Sequence, residues 1–162
     1  MDPAERSRQK RSAAWTSIGF AGTVALVKLV AGILTNSVAL YASFADSFVD
    51  LIASTINYVA IAAAEKPADD DHAYGHGKAE ALSGLTQAIL VLGSGLLLVG
   101  VSIGRLINGA ELREIDLGLA IMIATTIGSF LLTWRLQVVA RRTESVALQA
   151  DSVHYATDVV VN

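Results

Sequence analysis

The chain has 162 residues, 53% of them hydrophobic and only 17% charged, with a mean hydropathy of +0.52 and a formal net charge of −3. A soluble domain carries about 25% charge, so the composition excludes an ordinary water-soluble globule and points to helices in a bilayer. With no cysteine in the chain, disulfides and thiolate metal sites are excluded too.

Met1 to Ser12 is polar and basic and lacks a small-residue cleavage site after a short apolar core. That pattern predicts a cytoplasmic leader over residues 1–14 and not a signal peptide. Residues 15–162 then read as one transmembrane domain with five apolar segments, at 15–34, 37–64, 79–107, 115–139 and 145–162. The first four are long enough to cross a core of ~30 Å at 1.5 Å per helical residue. The fifth has 18 residues with no polar exit after it, so the chain is expected to stop inside a fifth span. The fold class expected is an all-α membrane protein, a polytopic transmembrane helix bundle.

Lys and Arg placement sets the orientation. Arg6, Arg8, Lys10, Arg11, Lys66, Lys78, Arg135, Arg141 and Arg142 fall on one side of this topology, against Arg105 and Arg113 on the other. The amino terminus and the loop 65–78 are therefore expected in the cytoplasm. Lys28 lies inside the first span, where snorkelling outward or pairing with a polar group is expected, and lining a pathway is the alternative. Trp15 and Trp134 sit near segment ends, as interface anchors do. Gly100-Val-Ser-Ile-Gly104 fits the GxxxG packing pattern weakly.

The second span carries a polar stripe at Ser43, Asp46/Ser47, Asp50, Ser54 and Asn57, and the fifth carries Asp151, His154/Tyr155, Asp158 and Asn162. Both step three or four residues at a time, so each stripe shares one helix face. A charge at the bilayer centre costs roughly 2.5–3.5 kcal/mol even on the lenient insertion scale. A polar seam between helices would explain the serines and asparagines, but would leave three carboxylates without a counter-charge. A divalent cation supplies one. The two spans run in opposite directions, so Asp46 and Asp158 fall ~10–13 Å below the outer edge, and Asp50 and His154 ~16–19 Å below it. Four nitrogen and oxygen ligands at one level make a tetrahedral site. Imidazole with carboxylate suits zinc, iron(II), cobalt or manganese, and the lack of sulfur argues against copper(I). Ligands must lose protons to bind metal, which favours exchange of metal for protons. No GxxxxGK[ST] nucleotide loop occurs to power a pump.

The loop Pro67-Ala-Asp-Asp-Asp-His-Ala-Tyr-Gly-His-Gly-Lys78 gathers Asp69, Asp70, Asp71, His72 and His76 around two turn-permitting glycines. From the residues alone, a second metal site and a solvated acidic turn stand equal.

The runs Asp46-Ser-Phe-Val-Asp50, Asp69-Asp-Asp-His72-Ala-Tyr-Gly-His76-Gly-Lys-Ala-Glu80 and Asp151-Ser-Val-His154-Tyr-Ala-Thr-Asp158 resemble the cation diffusion facilitator family, above all its bacterial zinc and ferrous-iron efflux members. The resemblance covers nearly the whole chain. It implies a homodimeric metal/proton antiporter of the cytoplasmic (inner) membrane, with zinc or another divalent transition metal as substrate and protons as counter-ion. It also implies six transmembrane helices and a cytoplasmic domain, of which this chain would carry five helices. By motif position, Asp46, Asp50, His154 and Asp158 correspond to the transport site, and Asp69, His72 and His76 to a second metal site. Lys78 matches a lysine that joins a salt bridge at the family's dimer interface. The partners expected are metal ions, lipid and a second copy of the chain, with no nucleic acid.

An intramembrane di-aspartyl hydrolase is the rival from the enzyme class. It has no use for His154 or for a histidine-bearing loop. A membrane metal sensor that transports nothing is the third reading, which a flux measurement separates from an exporter.

Overall fold

The structure, a computed structural model, describes residues 1–108 and 115–161, so Arg113 and Asn162 lie outside the described residues. Five α-helices follow in order: α1 Pro3–Thr35, α2 Val38–Ala64, α3 Lys78–Asn108, α4 Ile115–Thr143 and α5 Val146–Val161. No strand occurs among the described residues. The first four helices are long and apolar enough to cross a membrane. The chain is a multi-pass helical transmembrane bundle. Helices suit that setting because they satisfy every backbone hydrogen bond within one segment.

The leader is not a separate tail. Pro3 occupies the first turn after Asp2, Glu5 lies near the positive end of the helix dipole, and Gln9 donates to Glu5 one turn back (3.3 Å). α1 therefore runs unbroken from Pro3 into the membrane. Its basic end is tied to the rest of one rim of the bundle by Lys10 to Glu80 (2.6 Å), Arg11 to Glu65 (2.7 Å) and Arg6 to Glu144 (3.5 Å). These pairs gather the leader, the start of α3, the end of α2 and the α4–α5 link at one end of the bundle.

Two tight hairpins pair α1 with α2 and α4 with α5. Asn36 (φ 50°) and Glu144 (φ 53°) take the left-handed conformation that reverses the chain within a few residues. At the first hairpin Gly32 permits close approach, since a Cβ there would sit 3.4 Å from the Tyr41 ring. At the second, the Ser145 hydroxyl accepts from the Leu148 amide (3.3 Å) and caps α5.

The interior is as polar as it is apolar. Ala13, Ala14, Ile61, Leu132, Leu136, Ala140, Ala147, Leu148 and Tyr155 form a small core, while Ser17, Ser47, Ser54, Asn57, Gln87, Ser129, Asp151 and His154 are buried beside it. The large apolar side chains face outward, among them Leu26, Ile33, Leu92, Leu97 and Phe130. This inversion is what a hydrocarbon solvent selects, because lipid tails give apolar side chains no reason to hide. Helix approach relies instead on small residues. On α1, Ala14, Ser17, Ala21, Ala25, Lys28 and Gly32 step along one buried face, and that face meets α2 and α4. α3 packs on α2 and α5, and a Cβ added at Gly100 would meet no atom of this chain within 4 Å. Among the described residues, Gly100 is therefore not a point of close helix approach. Trp15 and Trp134 are exposed near the basic end, but their helices continue well past them.

Close approach along α1 gives a direct test. Ala14 is fully buried, so Ala14→Leu forces a large side chain against neighbouring helices at a cost of about 1–3 kcal/mol. Thermal unfolding in detergent should show a clear loss for Ala14→Leu and none for Val27→Leu on the exposed face. Equal transitions for the two would remove the close-packing account of α1.

Candidate metal centre

α2 and α5 meet at mid-height with their polar stripes facing. His154 Nε2 lies 3.0 Å from Asp50 Oδ1, and one ligand atom each from Asp50, His154 and Asp158 falls within 4.8 Å of the others. Tetrahedral zinc with ligand bonds near 2.0–2.1 Å needs ligand atoms about 3.3 Å apart. The triad therefore needs only rotamer-scale contraction to close on an ion. Asp46 stands one helical turn from Asp50 and is exposed, outside this tight group but on the wall of the same cavity. That cavity has room for about 30 Å³, a water-sized space, among Phe20, Ala21, Val24, Lys28, Asp46, Ser47, Asp50, Thr125, Ser129, Tyr155 and Asp158. Four helices (α1, α2, α4 and α5) contribute to it.

The walls are fixed by packing. Phe20 lies over Gly128, where any Cβ would collide with its ring, and meets Tyr155 edge-on with centroids 5.8 Å apart. The Tyr155 hydroxyl shares a hydrogen bond with Ser54 (2.9 Å), and its ring also abuts His154, at 5.3 Å. Lys28 does not snorkel. It is buried and donates from Nζ to Ser47 Oγ (2.7 Å), on the cavity wall.

Below this cavity, towards the basic rim, lies a second polar layer, in which Asn57 and Asp151 of the two stripes meet Ser17 of α1 and Ser83 and Gln87 of α3, which the sequence reading did not single out. Asp151 is fully buried; its Oδ2 accepts from Ser17 Oγ (2.7 Å) and its Oδ1 from Gln87 Nε2 (3.2 Å). Ser83 donates to Asn57 Oδ1 (3.1 Å). One turn further, Glu80 accepts from Lys10 (2.6 Å) and from Ser145 Oγ (2.6 Å). Glu80, Ser83 and Gln87 occupy one face of α3 at spacings of three and four, the signal in the third span that could have revealed them.

The loop brings Asp69, His72 and His76 together, with one ligand atom from each within 4.8 Å of the others. Asp69 Oδ1 accepts from the His72 amide (2.8 Å) and faces His72 Nδ1 (3.2 Å), and Asp69 Oδ2 faces His76 Nε2 (3.4 Å). His76 Nδ1 lies 3.2 Å from the Pro67 carbonyl, which can only accept, so Nδ1 carries a proton. Gly75 (φ 75°) supplies the turn that brings His76 back to Asp69. Desolvation works to raise the Asp69 pKa, but the His72 amide and ring and the nearby His76 outweigh it and hold the carboxyl below its usual value. Asp70 and Asp71 are exposed and are not part of this cluster.

A bundle with carboxylates and imidazole at its centre, and a histidine loop at one end, defines a class. Residues 14–162 match the cation efflux transmembrane domain. The chain belongs to the cation efflux (cation diffusion facilitator) family. Over all 162 residues it is 36% identical to the cation-efflux pump FieF of Serratia proteamaculans (strain 568), covering 100% of this chain and 54% of that protein. It is 37% identical to the FieF of Shewanella oneidensis over 146 residues, 90% of this chain and 49% of that protein. It is 36% identical to that of Salmonella agona (strain SL483) over 150 residues, 93% of this chain and 50% of that protein. The chain spans about half the length of these relatives.

The buried Asp151 layer predicts a stability effect. Asp151→Leu leaves Gln87 Nε2 without an acceptor, at about 1–3 kcal/mol, and leaves Ser17 Oγ only its long bond to the Ala13 carbonyl (3.5 Å). Unfolding in detergent should fall well below that of Val153→Ala, a truncation at an exposed neighbour. A matching transition would show that the layer contributes nothing to the bundle.

Proposed function

We propose that the protein exports divalent transition-metal ions across the cytoplasmic membrane in exchange for protons. Zinc is the preferred ion, with iron(II), cobalt and cadmium as secondary substrates. The observation that carries this reading is the Asp50–His154 contact at 3.0 Å with Asp158 in reach, beside a cavity that Asp50 and Asp158 line. Asp46, on the wall of that cavity, serves as the fourth ligand. The nearest polar partner of Asp50 is an imidazole and not a second carboxylate, which disfavours proton-sharing di-aspartyl hydrolysis.

α2 supplies Asp46 and Asp50, and α5 supplies His154 and Asp158. A small shift of one helix against the other opens the ligand set, so capture and release follow helix movement. One imidazole among three carboxylates keeps the donor set suited to zinc and less so to harder, six-coordinate ions. The loop cluster of Asp69, His72 and His76 is a second metal site, off the route. The excess of Lys and Arg at one end supports a cytoplasmic amino terminus and loop. The working protein is a homodimer.

Zinc should accumulate in inverted membrane vesicles carrying the protein, faster when the vesicle lumen is acidified. Asp50→Ala should reduce this uptake to background. Replacing His72 and His76 together by alanine should lower bound metal by about one ion per chain and leave flux measurable. Uptake surviving Asp50→Ala would overturn the transport site, and complete loss of flux in the double histidine variant would put the loop on the route.

Each ligand gives up its proton before binding metal, and imidazole titrates near pH 6.5 in water. Metal affinity of the cavity, measured by calorimetry in the double histidine variant, should fall steeply between roughly pH 7 and 5.5. A flat profile across that window would refute proton competition.

A further inference from the structure

Charge counting at the cavity exposes a group that the ligand set leaves unused. Asp46, Asp50 and Asp158 contribute three negative charges, and a metal-binding His154 is neutral. A divalent ion on these four alone leaves a net charge of −1 in a medium that penalises any net charge. Lys28 stands on the same wall. It is 7% exposed, donates to Ser47 Oγ at 2.7 Å, and lines the cavity together with Asp46, Asp50 and Asp158. Lys28 is about 10 Å from the outer end of α1 and Asp46 about 12 Å from the outer end of α2, so the two share a level. At that depth a lysine could reach the outer interface with its flexible stem. It is turned inward instead, and Ser47, next in sequence to Asp46, anchors it there.

We infer that Lys28 is a fixed counter-charge of the transport site, which makes the cavity electroneutral when it holds a divalent cation and keeps binding weak enough for release. With Lys28 the site carries −2. A divalent ion brings it to zero, a monovalent ion leaves −1, and a trivalent ion leaves +1. Valence is thus selected by the sum of charges and not by the ligands alone. The ammonium also repels the bound ion. A transporter requires this, because a site that holds its ion too tightly cannot pass it on. The inference rests on the proposed transport site.

The test uses the protein in detergent, with His72 and His76 replaced by alanine so that only the membrane site is read. Cobalt(II) is the probe, followed by its ligand-field absorption and by competition with zinc, alongside zinc flux in vesicles. At a pH where the carboxylates are ionised, Lys28→Met should bind cobalt and zinc tighter by about tenfold or more, while zinc flux falls. Lys28→Arg keeps the charge and should stay within about threefold of the parent for both. Tighter binding with slower transport is a split that a purely structural loss would not produce, since damaged packing weakens binding. Unchanged or weaker binding in Lys28→Met, or Lys28→Arg behaving like Lys28→Met, would overturn the inference. Should Lys28→Met fail to fold, Ser47→Ala frees the ammonium without removing it, and should tighten binding in the same direction; no change there would also overturn it. Absence of any cobalt signal that Asp50→Ala abolishes would instead bring down the transport site itself, and this inference with it. A spectrum intact in the parent and insensitive to Lys28 brings down only the counter-charge.

Discussion

Moving an ionised side chain out of water costs several kcal/mol, and in hydrocarbon there is no solvent to return any of it. This bundle places three carboxylates and an imidazole at mid-height, and its packing is arranged around that cost. α2 and α5 turn their polar stripes towards one another, α1 closes the cavity with Phe20, Ala21, Val24 and Lys28, and α4 adds Thr125 and Ser129. The aliphatic bulk that would form the core of a soluble protein is sent to the perimeter, where lipid accepts it. The sparse apolar core of Leu132, Leu136, Leu148 and Tyr155 sits where the helices need only hold together.

Two polar layers meet the same cost in different ways. In one, Asp151 accepts from hydroxyl and amide donors on α1 and α3, while Asn57 Nδ2 and Gln87 Oε1 beside it lack a partner. The layer at Asp50 leaves its ligands facing one another across a cavity. Hydrogen bonds inside a low-dielectric interior are strong when complete and costly when incomplete. The first layer ties α1, α3 and α5 together, and the second sets carboxylates and an imidazole facing one another beside a water-sized space.

The helices were legible because a bilayer permits so few alternatives: a long apolar run at this depth must be helical. Four of the five boundaries fell within a few residues of the observed ones. The exception is α1, where polar residues 3–14 carry no hydropathy signal. Their helix is held by capping chemistry and by rim ion pairs to Glu65, Glu80 and Glu144, partners up to 138 residues away that local pattern cannot supply. The i,i+4 pairs exposed the mid-membrane constellation, and the opposite directions of α2 and α5 set Asp50 level with His154. Sequence could not tell that Asp46 would stand apart from the tight triad, because that depends on helix rotation. Nor could it aim Lys28, whose direction is decided by Ser47 on another helix. The partners of Asp151 on α3 were written in the spacing of Glu80, Ser83 and Gln87, but their apolar surroundings masked the stripe.

The continuity of α1 has a mechanical consequence. Its 33 residues extend about 50 Å, against a hydrocarbon thickness of ~30 Å. The basic end therefore projects as a lever arm of roughly 18 Å beyond the level of Trp15. A rigid rocking of α1 by roughly 10° about its membrane-embedded part swings that tip by about 3 Å. Contacts of 2.6–3.5 Å at Glu80, Glu65 and Glu144 do not survive such a swing. A small tilt of α1 is thereby converted at its basic end into the making or breaking of whole ion pairs.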